Sequence, residues 1–358
     1  MTDRPSPPNL IPSKRAELFG IDLRTLAFTR IALATVLLYD LAMRFRDYAV
    51  MYADDGLFPI ADVTTYYGEI SWRWSFHLLS GSYAYQMTLF ALAALFGVML
   101  WLGCFTRVAT IASWLLLISI HSRAPVLVTG GDVLLSMMLF WGIFLPLGSR
   151  ASLDTFWRAP PTSNGPYVSV ASAAMMLQVA FMYFFTGCSK CNDLWFSGQA
   201  LESVFANQML VRPMGGWLAQ FPGFLTFLTY GTLVLELAGP LLMFCPWKTQ
   251  IVRPLTVLCF VGLHIGIEMT MTVVIFSFAS LAALTCFTPG WVWDSLGWGR
   301  EHHAAKEEDV ETRPLWKWGG LAVNALLLCL LLSVVVVNTM AYRARSQALE
   351  KLPQFVVA

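Results

Sequence analysis

Long apolar runs, separated by short polar and Pro- or Gly-bearing stretches, dominate the pattern along the chain. A bilayer core asks for about 20 mostly apolar residues per helix, within a range of roughly 17–25. Runs of that kind span Leu26–Phe45, Tyr85–Gly103, Val108–Ile120, Val133–Gly148, Val168–Gly187, Phe224–Cys245 and Gly319–Met340. The Val108–Ile120 run is short and borrows flanking residues to cross. Between Leu255 and Phe287 lies one continuous apolar stretch, interrupted at His264, Glu268 and a Thr/Met cluster. As a single helix it would be about 50 Å long, too long for one crossing. It therefore reads as two short spans turning near Glu268–Thr272. The expected fold class is all-α, a polytopic membrane helix bundle of about nine transmembrane helices, or eight if one piece of that stretch is a re-entrant segment.

Composition agrees. Of 358 residues, 57% are hydrophobic and only 13% charged, about half the charged share of a soluble domain. The 14 Trp and 25 Phe suit aromatic belts at two interfaces. A net charge of +1 leaves no footprint for nucleic acid. The first apolar run is too long for a signal-peptide core and reads as an uncleaved first span.

Charge asymmetry sets the expected orientation. Arg4, Lys14, Arg15 and Arg24 place the N-terminus in the cytoplasm, whereas Asp47, Asp54, Asp55, Asp62 and Glu69 place the next loop outside. Arg107, then Arg150 and Arg158, then Lys248 and Arg253 fall on alternate, inward loops, as does the mixed-charge segment Gly299–Lys317. The C-terminus then lies outside, against the mild contrary signal of Arg343, Arg345 and Lys351. Two outward loops, Arg46–Ser82 and Cys188–Gly223, are long for a compact bundle. Trp72, Trp74, Phe76 and Leu78 in the first, and Trp195, Phe196, Val204, Phe205 and Trp217 in the second, suit segments lying along the surface. They read either as anchors of helix ends or as a lid over a cavity.

Ionisable groups inside spans cost about 2.5–3.5 kcal/mol at the bilayer centre and mark sites by default. Glu236 lies mid-span, four residues before Pro240, which frees the Glu236 carbonyl. His264 and Glu268 share a helix face at i, i+4, either as a proton-moving pair or as a buried packing device. Asp40 and Arg44 have the same spacing and read as a structural ion pair. Lys190, at the end of a span in Tyr183-Phe-Phe-Thr-Gly-Cys-Ser-Lys-Cys-Asn-Asp-Leu-Trp195, has apolar surroundings that favour a general base, although snorkelling is the commoner state of such a lysine. Cys188 and Cys191 form a C-x-x-C unit flanking it, a redox pair, a disulfide or an incidental pair. No second such unit or His pair accompanies them, so no metal is expected. The other five cysteines sit singly in apolar runs as small hydrophobes.

Several motifs in order resemble the HTTM family, which includes vitamin K-dependent γ-carboxylase-like bacterial proteins. They are Tyr52-Ala-Asp-Asp-Gly-Leu-Phe-Pro59, Gly130-Gly-Asp132, Phe140-Trp-Gly-Ile-Phe-Leu-Pro-Leu-Gly148, Ser152-Leu-Asp154, Gly187-x-x-Lys190 with Trp195 and Gly198, Glu236 with Pro240, and Leu263-His264. The resemblance covers residues 24–295, between a cytoplasmic segment 1–23 and a charged linker 296–315, a last helix 316–342 and a tail 343–358. It implies nine helices, an N-terminus inside, and a bacterial inner-membrane location. It also implies Lys190 as the catalytic base toward a reduced quinone (vitamin K hydroquinone or menaquinol), with carboxylase-like lyase or quinol-dependent oxygenase chemistry on an extracytoplasmic substrate. Glu236, His264, Glu268 and Asp132 are the supporting polar candidates.

The carboxylase carries a large soluble domain after its last helix, and here the chain after Met340 is short. That departure keeps a second reading open, an accessory or maturation subunit working with a soluble extracytoplasmic partner. Transport, with Glu236, His264 and Glu268 as proton carriers, ranks third because no inverted repeat is visible.

Overall fold

The computed structural model describes residues 14–67, 74–159, 161, 166–298 and 324–336. Eight main helices follow in chain order: α1 Leu23–Arg46, α2 Tyr83–Leu102, α3 Thr106–Arg123, α4 Gly130–Gly142, α5 Val170–Ser189, α6 Pro222–Met243, α7 Thr249–Thr270 and α8 Phe276–Leu284. Beyond them lies a further apolar helix, α9, Asn324–Val336. Five of these, α1, α2, α5, α6 and α7, are long and apolar enough to cross a membrane. Helices α4, α9 and the run Phe276–Phe287 are shorter apolar pieces. Helix α3 is long, but Thr106, Arg107, Ser113, Ser119, His121 and Arg123 lower its hydropathy.

Boundaries follow local chemistry. Asp22 accepts the Arg24 backbone N–H at 2.8 Å and starts α1. Ser169 and Ser172 form a reciprocal cap that starts α5. Helix α2 stops at Gly103, where φ is +71° and a Cβ would meet the Arg30 guanidinium and Ser152. The expected span Val133–Gly148 is corrected here: helix α4 ends at Gly142, and the rest is a turn around Pro146. Pro146 has no N–H to give the Gly142 carbonyl and its ring crowds that oxygen, which favours a helix end at this point. The 255–287 stretch does break, after Thr270, and α8 begins at Phe276. Pro240 does not interrupt α6, which runs through it to Met243.

Helix α1 packs on α2, α4 and α8, and the other neighbours are α2 on α3, α3 on α4, α4 on α5 and α8, α5 on α6, α6 on α7, and α7 on α8. A two-residue ladder, β1 Ile21–Asp22 against β2 Pro166–Tyr167, fixes the starts of α1 and α5 at one end of the bundle. At that same end Arg30 is buried and donates to the Leu147 and Ala151 carbonyls. Alternation then brings the ends of α1, α3, α5 and α7 together with the starts of α4, α6 and α8 at the opposite end. The two long connections lie there. Their described parts fold into short helices, Tyr48–Tyr52, Ile60–Tyr67 and Phe76–Leu78 in the first, and Asp193–Phe196, Ala200–Phe205 and Pro213–Leu218 in the second. The second is stitched to the α7–α8 turn by the Val211–Met271 bridge and by Arg212 N–H donating to the Thr270 carbonyl at 2.8 Å. Trp72, the 299–317 segment and the charged C-terminal residues fall outside the described residues.

Candidate functional site

Tyr183, Gly187 and Lys190 occupy positions i, i+4 and i+7 of one α5 face, which turns toward α6 and α7. Gly187 lets α6 come close: a Cβ there would lie 3.1 Å from the Glu236 carbonyl carbon and 3.0 Å from Leu237. That approach brings the Lys190 Nζ within 2.6 Å of Glu236 Oε2. The lysine caps the end of α5, with its side chain 19% exposed, and Glu236 is 7% exposed at the side chain. The Trp195 ring lies 5.3 Å from Nζ and faces the cation.

About two turns back along α5 from Lys190, Tyr183 Oη bonds His264 Nε2 at 2.7 Å. The phenol ring stacks on Phe260 with centroids 3.9 Å apart, and Phe276 of α8 closes edge-on over the imidazole at 5.4 Å. His264 is 1% exposed, and its Nδ1 has no partner among the described residues. A buried ring nitrogen without a partner is costly, so it marks a position where a ligand atom or water belongs.

The expected His264–Glu268 pair does not form. His264 turns to Tyr183, whereas Glu268 bonds Arg212 from the connecting loop at 2.6 Å. Residues four apart on a helix share a face, but here each side chain finds a partner on a different element, one on α5 and one beyond the helix end. Asp132 also stands apart from Lys190. It accepts from Thr129 N and Oγ1 at 2.6 and 2.7 Å, capping α4, and pairs with Arg44. Arg44 bonds Asp40 at 2.8 Å as the i, i+4 spacing predicts, and the Tyr52 hydroxyl at 3.1 Å. His121 comes within 3.5 Å of Asp132. This second cluster meets the first through Phe276, because Gly131 leaves room for the Phe276 backbone: a Cβ there would lie 2.7 Å from its Cα.

Cys188 and Cys191 are free thiols, half-buried and exposed respectively, and Cys191 Sγ contacts the Gly187 carbonyl at 3.5 Å. Among the described residues no cluster of His, Cys, Asp and Glu is arranged to hold a metal. Tyr183 is the partner that sequence reasoning missed. Its spacing from Gly187 and Lys190 was the available signal.

The other quoted motifs build the frame. Ser152 Oγ bonds the Gly103 carbonyl at 2.6 Å, and Asp154 accepts from Phe105 N, Thr106 N and Thr106 Oγ1 at 2.7, 2.9 and 2.6 Å. Asp54 of the 52–59 motif accepts the Ile60 N–H at 2.9 Å, closing the loop on itself.

The HTTM domain pattern matches residues 20–291, most of the chain. The chain belongs to the HTTM domain family. HTTM domains occur in vitamin K-dependent gamma-carboxylase-like proteins. The match includes every element that carries Lys190, Glu236, Tyr183 and His264. No curated protein and no solved structure matches the sequence.

Proposed function

We propose that this HTTM membrane protein uses the Lys190–Glu236 pair to take a proton from a reduced membrane quinone, in the service of a modification on the extracytoplasmic side of a bacterial inner membrane. The observation that carries the reading is the 2.6 Å Nζ–Oε2 bond at a half-buried helix end. One proton moves along such a bond between two forms, ammonium with carboxylate and amine with carboxylic acid. The second form leaves a lone pair on Nζ, and a lysine amine can then act as a general base. Lys190 has three N–H donors in its charged form and gives one to Glu236, so two remain to hold an oxygen that has lost its proton.

The residues fit a quinol head group. Trp195 and Phe276 supply flat apolar surface, Lys190 and Glu236 supply the proton acceptor, and the orphaned Nδ1 of His264 supplies a further polar contact. When bound, a reduced quinone supplies an acidic hydroxyl and reducing equivalents for reaction with oxygen. Tyr183 holds the imidazole by Nε2 and so orients Nδ1. Phe276 packs edge-on against that ring and leaves Nδ1 as its one unpartnered polar atom among the described residues.

The test is mass spectrometry of lipids retained by the purified protein, with wild type beside Lys190→Ala and Glu236→Gln. Retained quinone in wild type, reduced severalfold in both variants, is the expected result. Absence of quinone from wild type, reconstituted with menaquinone, overturns the proposal. In that event the accessory-subunit reading takes its place, and capture of a soluble extracytoplasmic partner becomes the measurement to make.

A further inference from the structure

The first long connection holds a charged group that the Lys190 site does not use. Arg123, the last residue of α3, is 0% exposed, yet only its Nη2 is hydrogen-bonded, to the Tyr52 carbonyl at 2.8 Å. Its Nε and Nη1 are buried with no partner among the described residues. Among the described residues the nearest carboxylate oxygen, Asp54 Oδ1, stands 3.9 Å from Nη2, on a side chain that is 50% exposed. A guanidinium is the side chain least able to shed its charge, so burial cannot be answered by losing the proton. A fully desolvated cation with two idle donors and one distant, half-solvated counter-ion is an unfinished arrangement.

His77 completes the picture. It is 0% exposed and its ring lies 6.3 Å from that of Tyr52, within reach of the Arg123 charge. Gln86 donates its amide N–H groups to the His77 and Ser80 carbonyls at 2.9 and 2.7 Å, so its oxygen faces the ring. That oxygen sits 2.6 Å from Nδ1, which therefore carries the proton and donates it. Burial holds the imidazole neutral, its pKa lowered to about 4 with help from Arg123. Neutral and protonated on Nδ1, the ring offers Nε2 as an acceptor, and Nε2 is buried without a partner among the described residues.

We infer that Arg123 and His77 form a binding site for a small oxyanion that bears a hydroxyl, such as hydrogen carbonate or hydrogen phosphate, entering past Asp54. One idle donor of Arg123, Nε or Nη1, each on its own side of the guanidinium, meets a negative oxygen, and His77 Nε2 accepts the hydroxyl proton. Asp54 occupies the solvent side of the guanidinium and gives way as the anion arrives. The site is built from α3 and the first long connection, and it stands whether or not Lys190 is a base.

The experiment is thermal unfolding of the full chain in lipid nanodiscs, titrated with bicarbonate, phosphate or formate at constant ionic strength, with chloride as the control. A saturable rise in unfolding temperature with bicarbonate or phosphate, at least tenfold weaker in Arg123→Gln, is expected. Formate, which lacks the hydroxyl, binds more weakly than bicarbonate, and equal affinity removes His77 from the site. Asp54→Asn keeps the oxygen that receives the Ile60 N–H but loses the competing charge, and should bind severalfold tighter. This variant decides the matter if Arg123→Gln does not fold, because unchanged affinity in Asp54→Asn overturns the inference. An anion response in wild type no larger than that of chloride overturns it as well.

Discussion

Gly187 of α5 lies against the backbone of Glu236 on α6, so closely that a methyl group at 187 would sit 3.1 Å from the Glu236 carbonyl carbon. The contact sets the distance between the two helices and thereby the reach of Lys190, one turn further on. A bulkier side chain there must wedge α5 from α6. Gly187→Val should cost about 1–3 kcal/mol, as overpacking of a close contact does. Gly262, on α7, meets nothing within 4 Å, so Gly262→Ala should be neutral or slightly stabilising. Thermal unfolding of the two variants side by side checks the pair. Equal effects would show that the α5–α6 approach is not tight.

The Lys190–Glu236 bond invites a double-mutant cycle. Removing one member leaves the other without its counter-ion, which costs about 3–5 kcal/mol when the charge is fully buried. Lys190 is 19% exposed at the side chain, so its stranding in Glu236→Leu should fall below that range, while stranding Glu236 in Lys190→Met should approach it. The double variant should recover most of the loss, because two apolar groups facing each other in a helix interface leave no charge unpaired. Additive losses across the cycle would mean that the two groups are not coupled.

The two carboxylates that read alike in sequence, Asp132 and Glu268, have different surroundings. Asp132 caps α4 and pairs with a largely buried Arg44, their side chains 1% and 9% exposed. Glu268 meets Arg212 with side chains 20% and 38% exposed, so solvent screens that pair. Asp132→Ala should therefore cost about 2–4 kcal/mol, through a lost cap and the loss of one of the two carboxylates that hold Arg44, Asp40 remaining. Glu268→Gln should cost about 0–1 kcal/mol. Chemical unfolding in detergent measures both. A large Glu268 effect with a small Asp132 effect would reverse the assignment.

Much of this fold was legible because lipid imposes a length rule on apolar runs. The break after Thr270 shows it well, since a stretch from 255 to 287 cannot cross once and the Thr/Met cluster is where it turns. Local chemistry was legible too, as Asp40 and Arg44 pair at i, i+4. Partner choice across helices was not. His264 and Glu268 share a face, yet Tyr183 and Arg212 claim them from 81 and 56 residues away. Such pairings depend on which helices touch, and helix spacing along the chain carries no record of that. Arg123 and His77 were silent for the same reason: their idle nitrogens become visible only once burial and partners are known.

Asp154 offers a pH test of the frame. Partial burial alone would raise its pKa, but hydrogen bonds from the Thr106 hydroxyl and the Thr106 and Phe105 amides outweigh burial and hold the carboxyl below its ordinary value. The carboxylate stands at the start of α3, where unpaired amides favour negative charge. A depressed folded-state pKa means that the stabilisation is complete above the unfolded value, near pH 4. It drains away as the pH falls from there through the folded value, because the unfolded chain binds the proton first. Wild type should therefore exceed Asp154→Ala by about 1–2 kcal/mol between pH 5 and 8. Unfolding free energies in detergent across pH 3 to 8 should show that gap narrowing below about pH 4. A gap that stays constant down to pH 3 would mean that the uncharged acid caps α3 as well as the carboxylate does, and that the charge at Asp154 contributes nothing to holding the α2–α3 turn against Ser152 and Gly103.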